Sequence, residues 1–506
     1  MKNKKLTFLV IILLIIFSVP IWMNRFLPLS DYPSHLLSID IIRQYDNPQF
    51  NFKDNFVVGW KPIPNLASDV IILLLSHLFP IQTAGKVYLN LFGILFVLSI
   101  FYFMGAVNRR KILLGFFGFL FFFNWYFNNG YLNFYGSLSI FFFTLGFWIR
   151  SSLKVQNSHK LINFREILIF GLLTISLFFF HLFSYAALIL CLIILGFFEL
   201  KNRAKIKGTL LALIPSLLLF LNYLFIVKAG SSANRGVDFS SPQDSIIHFI
   251  LYTFVSFSKK DILFYLIPLL IMGYLLISDL WSNGKNKIEK KLFWLFLGLI
   301  IIYFILPYQM AAVWPFNVRL NLFILFIGLA SVSMHNIEKV KKLILPSAIV
   351  FSLALLIYIS FVYHHLSKKI ETYTSGIEYV QPNRNILPLS IDVYGGCATI
   401  TPFSTTWAYY HIAKGGAGPY LFHLPHGQIV NYKKPVKEVF PAPSLYPLRI
   451  DEFNTLEHSD PYDYFLIWGD FRNRERELEG EFELLYQNGD LKLFGKKNKN
   501  HRLALP

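Results

Sequence analysis

The chain has 506 residues, 55% hydrophobic, 18% aromatic and only 15% charged, with 54 Phe and a mean hydropathy of +0.50. A soluble domain carries about a quarter charged residues, so this composition excludes disorder and collagen-like repeats and departs from the globular norm. Two cysteines, Cys191 and Cys397, exclude a disulfide scaffold and a cysteine metal cluster.

The 47 Lys+Arg against 29 Asp+Glu do not signal nucleic acid. They fall in short clusters between apolar runs: Lys2/Lys4/Lys5, Arg109-Arg110-Lys111, Arg150 to Arg165, Lys201 to Lys207, Lys285 to Lys291 and Lys339 to Lys342. Such clusters mark the cytoplasmic ends of membrane spans, because Lys and Arg resist translocation. No stretch of interleaved basic and aromatic residues resembles a nucleic-acid groove.

The first apolar run, Leu6 to Trp22, follows a basic start but has no small-residue cleavage site, and reads as a retained signal anchor. Further runs are Ala84–Val107, Ile112–Phe127, Leu132–Ile149, Ile167–Phe180, Ser184–Phe198, Thr209–Val227, Asp261–Leu280, Leu292–Leu306, Val318–Val332 and Leu343–Tyr363. A span needs about 20 residues, and several runs lie near the lower limit. The expectation is about eleven spans, with the amino terminus cytoplasmic and the carboxyl terminus extracytoplasmic. Leu66–Phe79 is left out because it is short and carries Asp69 and His77. Counting it would invert every later basic loop, so it reads as a surface helix within a long outer loop, 24–83, that holds two such helices.

The fold class expected is an all-α polytopic membrane domain over 1–363 with a small α/β extracytoplasmic domain over 364–506. In the latter, Ile386–Ile391 and Tyr464–Trp468 read as strands, and Ser367–Tyr379 is compatible with a helix. Glu483–Gln487 and Leu491–Phe494 flank Asn488-Gly489, a hairpin signal. Lys414-Gly415-Gly416-Ala417-Gly418 reads as a turn, since it lacks the strand–loop–helix context of a phosphate loop. His364-His365, His423 and His426 read as surface residues without a third ligand at metal spacing.

The most informative segment is Leu27-Pro28-Leu29-Ser30-Asp31-Tyr32-Pro33-Ser34-His35. It reads as a helix start, with Ser30 or Asp31 as cap and Pro33 in the first turn. Asp31 and His35 are four apart and would share one face, where they suit proton transfer, hydroxyl orientation or divalent-metal binding. From spacing alone capping is the commoner role. His181, within Phe180-His181-Leu182-Phe183, stands between two runs and suits either a backbone bond at a hairpin tip or a substrate. Asn129, in the outward tip Asn128-Asn129-Gly130-Tyr131-Leu132-Asn133, suits a turn or a sugar-binding amide. In Gln309-Met-Ala-Ala-Val-Trp-Pro-Phe-Asn-Val-Arg319, the arginine at a span end either snorkels to the interface or binds phosphate.

One anchor, an outer loop with an acid near its start, two surface helices, many spans and a soluble tail: this order resembles the GT-C glycosyltransferases. It is similar to the protein mannosyltransferase and aminoarabinose transferase types. Asp31 in Ser-Asp-Tyr-Pro-Ser-His looks like the first-loop acidic motif, and Trp60-Lys61-Pro62-Ile63-Pro64-Asn65 looks like the lead into the second surface helix. The resemblance implies an enzyme of the cytoplasmic membrane that moves a sugar from a polyprenyl-phosphate carrier to an acceptor glycan, lipid or protein on the outer face. It implies Asp31 as the catalytic base or as ligand of a divalent metal (Mg or Mn), and the four-residue spacing adds His35 as a catalytic candidate beside it. Lys61, Asn129, His181, Gln309 and Arg319 are then substrate-binding, Arg319 on the carrier phosphate. Tyr32 stands where many members carry a second carboxylate, so plain base and metal ligand both remain open. Other classes are a transporter or flippase for lipid-linked sugars and a non-catalytic assembly protein. The span centres carry no Asp, Glu, Lys or Arg, which favours the enzyme.

Overall fold

The computed structural model describes residues 4–158, 163–200, 202–228, 236–280, 285–310, 313–421, 428–443, 459–471 and 474–497. Helices Lys4–Met23, Ile81–Val107, Leu132–Ser158, Phe164–Phe180, Leu182–Phe197, Arg203–Lys228, Leu266–Leu280, Lys287–Ile305, Asn321–Ser331 and Met334–Thr374 stand at ten of the expected spans. Six stretches among the described residues are long and apolar enough to cross a membrane: Lys4–Met23, Ile81–Val107, Arg109–Asn128, Leu132–Ser151, Arg203–Val227 and Met334–Tyr379. The chain is a mostly helical, multi-pass membrane protein. His423 and His426 lie outside the described residues.

Two helical features differ from the sequence reading. The expected span Ile112–Phe127 is a 3-10 helix, Arg109–Phe121, followed by a short α-helix, Trp125–Asn128. A 3-10 run of this length is uncommon, because side chains at i and i+3 eclipse. Here the eclipse aligns Phe116, Phe119 and Phe122 in a ladder. Phe101 meets Phe116 at 5.0 Å, and Phe17 meets Phe119 and Phe122 at 5.1 and 5.6 Å. The helix Pro242–Phe254 was not expected. Ser241 caps it by accepting from the Asp244 N–H at 3.1 Å, and Pro242 fills the first turn.

The chain divides into two compact units. The first gathers 1–20, 62–71 and 86–360; the second gathers 21–61, 72–85 and 361–506. The outer loop 24–83 is therefore shared between them.

The first unit has an aromatic core, and it treats its basic clusters unlike loops in water. Arg109 and Arg110 are exposed, but Lys111 is fully buried, 2.8 Å from Glu289, and donates to the Ala330 carbonyl at 2.7 Å. Lys291 pairs with Glu199, which also lies 3.5 Å from Lys205, and Lys285 lies 2.9 Å from Asp279. Lys205 and Lys285 each sit over a ring, Trp148 at 3.4 Å and Phe293 at 3.3 Å. Asp279 also accepts from the Ser333 N–H at 2.8 Å. Helix ends far apart in sequence are thus joined by buried charges.

The second unit carries a four-stranded sheet. Ile386–Ser390 and Tyr464–Trp468 run parallel; Leu491–Lys496 and Phe482–Asn488 follow antiparallel. The last two strands form the expected hairpin, with Asn488 paired to Leu491 and Gly489 at φ +55. Three residues of the first loop, Phe56–Val58, pair antiparallel with Val430–Tyr432. The glycine-rich segment is a turn, as expected. Gly416 has φ +75, and its missing side chain leaves room for the Arg384 carbonyl, while its N–H donates to Phe50 O at 3.2 Å.

Candidate functional site

Within the first unit, Arg319 is the best-held of the predicted residues. It lies in the short 3-10 turn Asn317–Leu320 that leads into Asn321–Ser331. Its Nε donates to the Pro315 carbonyl at 3.3 Å, and its Nη1 donates to His181 Nε2 at 2.9 Å. The guanidinium also lies over Tyr131 at 5.7 Å and Phe134 at 5.5 Å. A snorkelling side chain would be fixed by none of these. Arg319 is only partly buried, and these contacts hold its planar donor fork in place.

His181 joins Phe164–Phe180 to Leu182–Phe197 in an extended conformation, φ −161. Its Nδ1 lies 3.2 Å from the Phe183 N–H, the hairpin-tip role read from sequence. A neutral imidazole has one lone-pair nitrogen, so this bond and the Arg319 bond cannot both be full. The Arg319 contact is the shorter of the two and is charge-assisted, so it is the stronger claim on the ring. Phe134 packs edge-on against the His181 ring at 5.0 Å and completes its seat.

The tip 124–133 supports this seat. Asn124 caps Trp125–Asn128 by accepting from Tyr126 and Phe127 N–H groups at 3.0 and 3.1 Å. The Tyr126 hydroxyl donates to the Val318 carbonyl at 2.6 Å, one residue before Arg319. Asn129 is buried and its amide donates to Trp125 O at 3.0 Å, which is the turn role. Asn133 donates to Asn65 O at 2.8 Å and accepts from Ser68 N–H at 2.9 Å, so it caps Ala67–Ser76 from another element. In that helix Asp69 is half-buried and accepts from the Ser68 hydroxyl at 3.1 Å. Burial pushes its carboxyl up to about 7. Gln309 pairs across from Asp238 on a two-residue strand and is partly exposed. Tyr131 and Asn133 belong to the tip 128–133 singled out from sequence, whereas Tyr126 and Phe134 were not singled out. Their only signal was a cluster of aromatics and amides around Gly130.

Within the second unit, Asp31 occupies the N-cap position of Tyr32–Arg43, with φ −96 and ψ −9, but its side chain makes no capping bond. The helix starts through the Asp31 carbonyl, which accepts from His35 N–H at 3.1 Å. Pro33 in the first turn removes one donor that a cap would satisfy. The helix start is thus left to the backbone and not to the Asp31 carboxylate. Its neighbour Ser30 is tied down three ways. The Ser30 hydroxyl accepts from Thr401 N–H at 2.8 Å, and its carbonyl accepts from the Thr405 and Ser404 hydroxyls at 2.5 and 3.2 Å. On the other side Tyr32 is buried and donates to Gln82 O at 3.1 Å, an approach that the absent side chain of Gly85 permits. Burial holds His35 down at about 4, so this ring is neutral at pH 7. Lys61 is exposed on irregular chain beyond Gly59.

Among the described residues no three His, Cys, Asp or Glu side chains gather as a metal-binding group.

No sequence-family profile matches the chain, and no curated protein matches it. Its structure is similar to that of ArnT from Cupriavidus metallidurans bound to undecaprenyl phosphate, at TM-score 0.56 and 10% identity, over 98% of this chain and 99% of that one. It is also similar to apo ArnT from the same organism, at TM-score 0.55 and 10% identity, over 98% of each. The match spans both units, so the chain shares the fold of ArnT over nearly its whole length.

Proposed function

We propose that this protein is a membrane glycosyltransferase that takes a sugar from a polyprenyl-phosphate carrier and transfers it to an acceptor on the outer face of the cytoplasmic membrane. The observation that carries this reading is the full-length fold shared with an ArnT structure bound to undecaprenyl phosphate. Arg319 takes the carrier phosphate, with His181 and Pro315 O fixing its fork and Gln309 nearby in sequence on a partly exposed strand. Asp31 takes the proton of the acceptor hydroxyl as that oxygen attacks the anomeric carbon. The bond from anomeric carbon to phosphate oxygen breaks, the electron pair leaves on the carrier phosphate, and Arg319 balances that charge. The configuration at carbon inverts. Neutral His35, one turn away on the same helix, is suited to accept a hydrogen bond from the acceptor. Lys61 and Asn129 are secondary candidates for holding substrate.

Asp31→Asn tests this. Asn matches Asp in size, and the Asp31 side chain makes no capping bond that could be lost, so folding and expression are preserved. It cannot take a proton, so transfer in membrane vesicles falls about 10²–10⁴-fold. Near-normal transfer by folded Asp31→Asn protein overturns the assignment of the base. Retained transfer after exhaustive chelation distinguishes a plain base from a Mg or Mn ligand.

A further inference from the structure

Beside Arg319 lies a chain of aromatic rings that no step above uses. Tyr131, under the guanidinium, meets Trp125 edge-on at 5.5 Å, and Trp125 meets Tyr252 at 4.7 Å. Tyr252 and Tyr308 each meet Trp314 edge-on, at 6.1 and 5.9 Å. His248 stacks flat on Tyr308 at 4.1 Å and 15°. Trp125 is buried, but Tyr131, His248, Tyr252 and Tyr308 are partly exposed, and Trp314 is 44% exposed. One side of the cluster is packed and the other is open.

The backbone holds the open side in place. Phe316 N–H donates to Tyr308 O at 2.7 Å, closing the turn that carries Trp314. Tyr308 N–H donates to Asp238 O at 2.8 Å, and Val237 and Asp238 pair with Met310 and Gln309. The Tyr252 and Tyr308 hydroxyls are bonded to each other at 2.9 Å. Rings of an interfacial belt turn their polar tips to headgroups. These tips face one another, so the rings form a set rather than separate anchors.

A pyranose ring has a C–H face and a rim of hydroxyls. The C–H face carries slight positive charge and fits the negative face of an aromatic ring, while the rim needs a few placed donors and acceptors. Continuous with a phosphate-binding cation, such a surface has the two parts of a sugar phosphate side by side. We propose that the open face of Trp314, Tyr308 and Tyr252 is the subsite for the sugar ring of the donor, whose phosphate lies on Arg319. This rests on the assignment of Arg319 to the carrier phosphate. Trp314 supplies the stacking face, and the paired tyrosine hydroxyls and Gln309, on the same turn, meet the hydroxyl rim.

The test compares ligands with and without the sugar on the full-length protein in nanodiscs. The probes are undecaprenyl phosphate and its glucosyl, mannosyl, galactosyl and arabinosyl esters. Wild type is expected to bind one or more esters more tightly than the bare carrier. Trp314→Ala should weaken the best ester about 5- to 30-fold while changing bare carrier less than twofold, and Trp314→Phe should recover most of the loss. Retained bare-carrier binding also shows that the variant folds. Equal losses for ester and bare carrier, no loss for either, or a wild type with no preference among these ligands overturns the sugar subsite alone. A wild type that does not bind bare undecaprenyl phosphate overturns the Arg319 assignment, and the subsite with it.

Discussion

The first unit holds cations in two places and builds them differently. At the Lys111, Lys205, Lys285 and Lys291 cluster the side chains are 7% exposed or less, and each ammonium faces Glu289, Glu199 or Asp279. At Arg319 the described partners are an imidazole, a carbonyl and two rings, and the side chain stays partly exposed. Carboxylates that close around a buried ammonium join helices and leave no room for another anion. The first arrangement serves the fold, and the second is the one we propose serves a ligand.

Cutting one partner from each place should separate the two. Glu289→Ala leaves Lys111 buried beside a lost counter-charge, an error that costs about 3–5 kcal/mol. A sharply lower melting temperature in detergent is expected, with little soluble protein. Replacing the pair together, Lys111→Met with Glu289→Leu, should recover most of that stability, since apolar isosteres often match a buried pair. If the single variant melts like wild type, the cluster does not hold the helices.

Arg319→Ala should do the opposite, keeping the melting temperature within a few degrees and losing ligand. One charge-assisted hydrogen bond is worth about 1.5–3 kcal/mol, so affinity for undecaprenyl phosphate should fall roughly 10- to 150-fold. Arg25, an exposed arginine over the Phe26 ring and a weaker candidate for the same phosphate, is the control, and Arg25→Ala should change little. Equal small effects from both would return Arg319 to an interfacial anchor.

How far sequence reaches differs between these places for a physical reason. Long apolar runs mark helices whatever packs against them, which is why the spans were legible and so was the Asn488-Gly489 hairpin. The Pro242–Phe254 helix was missed because Gln243, Asp244 and His248 interrupt its apolar pattern. The lysines were legible only as loop charges, since pairing Lys111 with Glu289 joins segments 178 residues apart (289 − 111). Arg319 and His181 were each singled out, but nothing in either segment states that they touch across 138 residues. The Asp31 carboxylate looked like a cap because position alone was visible, whereas the absence of the capping bond is a fact of geometry.

A smaller effect is expected where neutral hydroxyls hold backbone next to a candidate catalytic group. Thr405→Val removes one of the two hydroxyls on the Ser30 carbonyl and keeps the shape. A single neutral bond is worth about 1 kcal/mol, so turnover should fall less than tenfold with substrate affinity unchanged. A fall as large as that of Asp31→Asn would mean that Thr405 acts on substrate rather than through Ser30.

The smallest effect comes from two groups on one helix whose titrations oppose each other. Burial lowers His35 from 6.5 to about 4, so between those values the unfolded chain binds a proton that the folded chain does not. Stability therefore falls as pH drops through that window. Burial raises Asp40 from 3.8 to about 6 against the pull of Arg43, 3.6 Å away, so the folded chain keeps a proton that the unfolded chain has lost. Stability therefore rises as pH drops from about 6 to about 4, and the two slopes cancel over most of the range. Wild type should melt at nearly constant temperature across it. Asp40→Asn removes one slope and should expose the other, so that its melting temperature declines on acidification from pH 6.5 to 4. His35→Gln should show the reverse, gaining stability as pH drops from about 6. Identical flat profiles in all three proteins would mean that neither side chain is desolvated as the packing of Tyr32–Arg43 requires, and that His35 is then free to charge near neutrality.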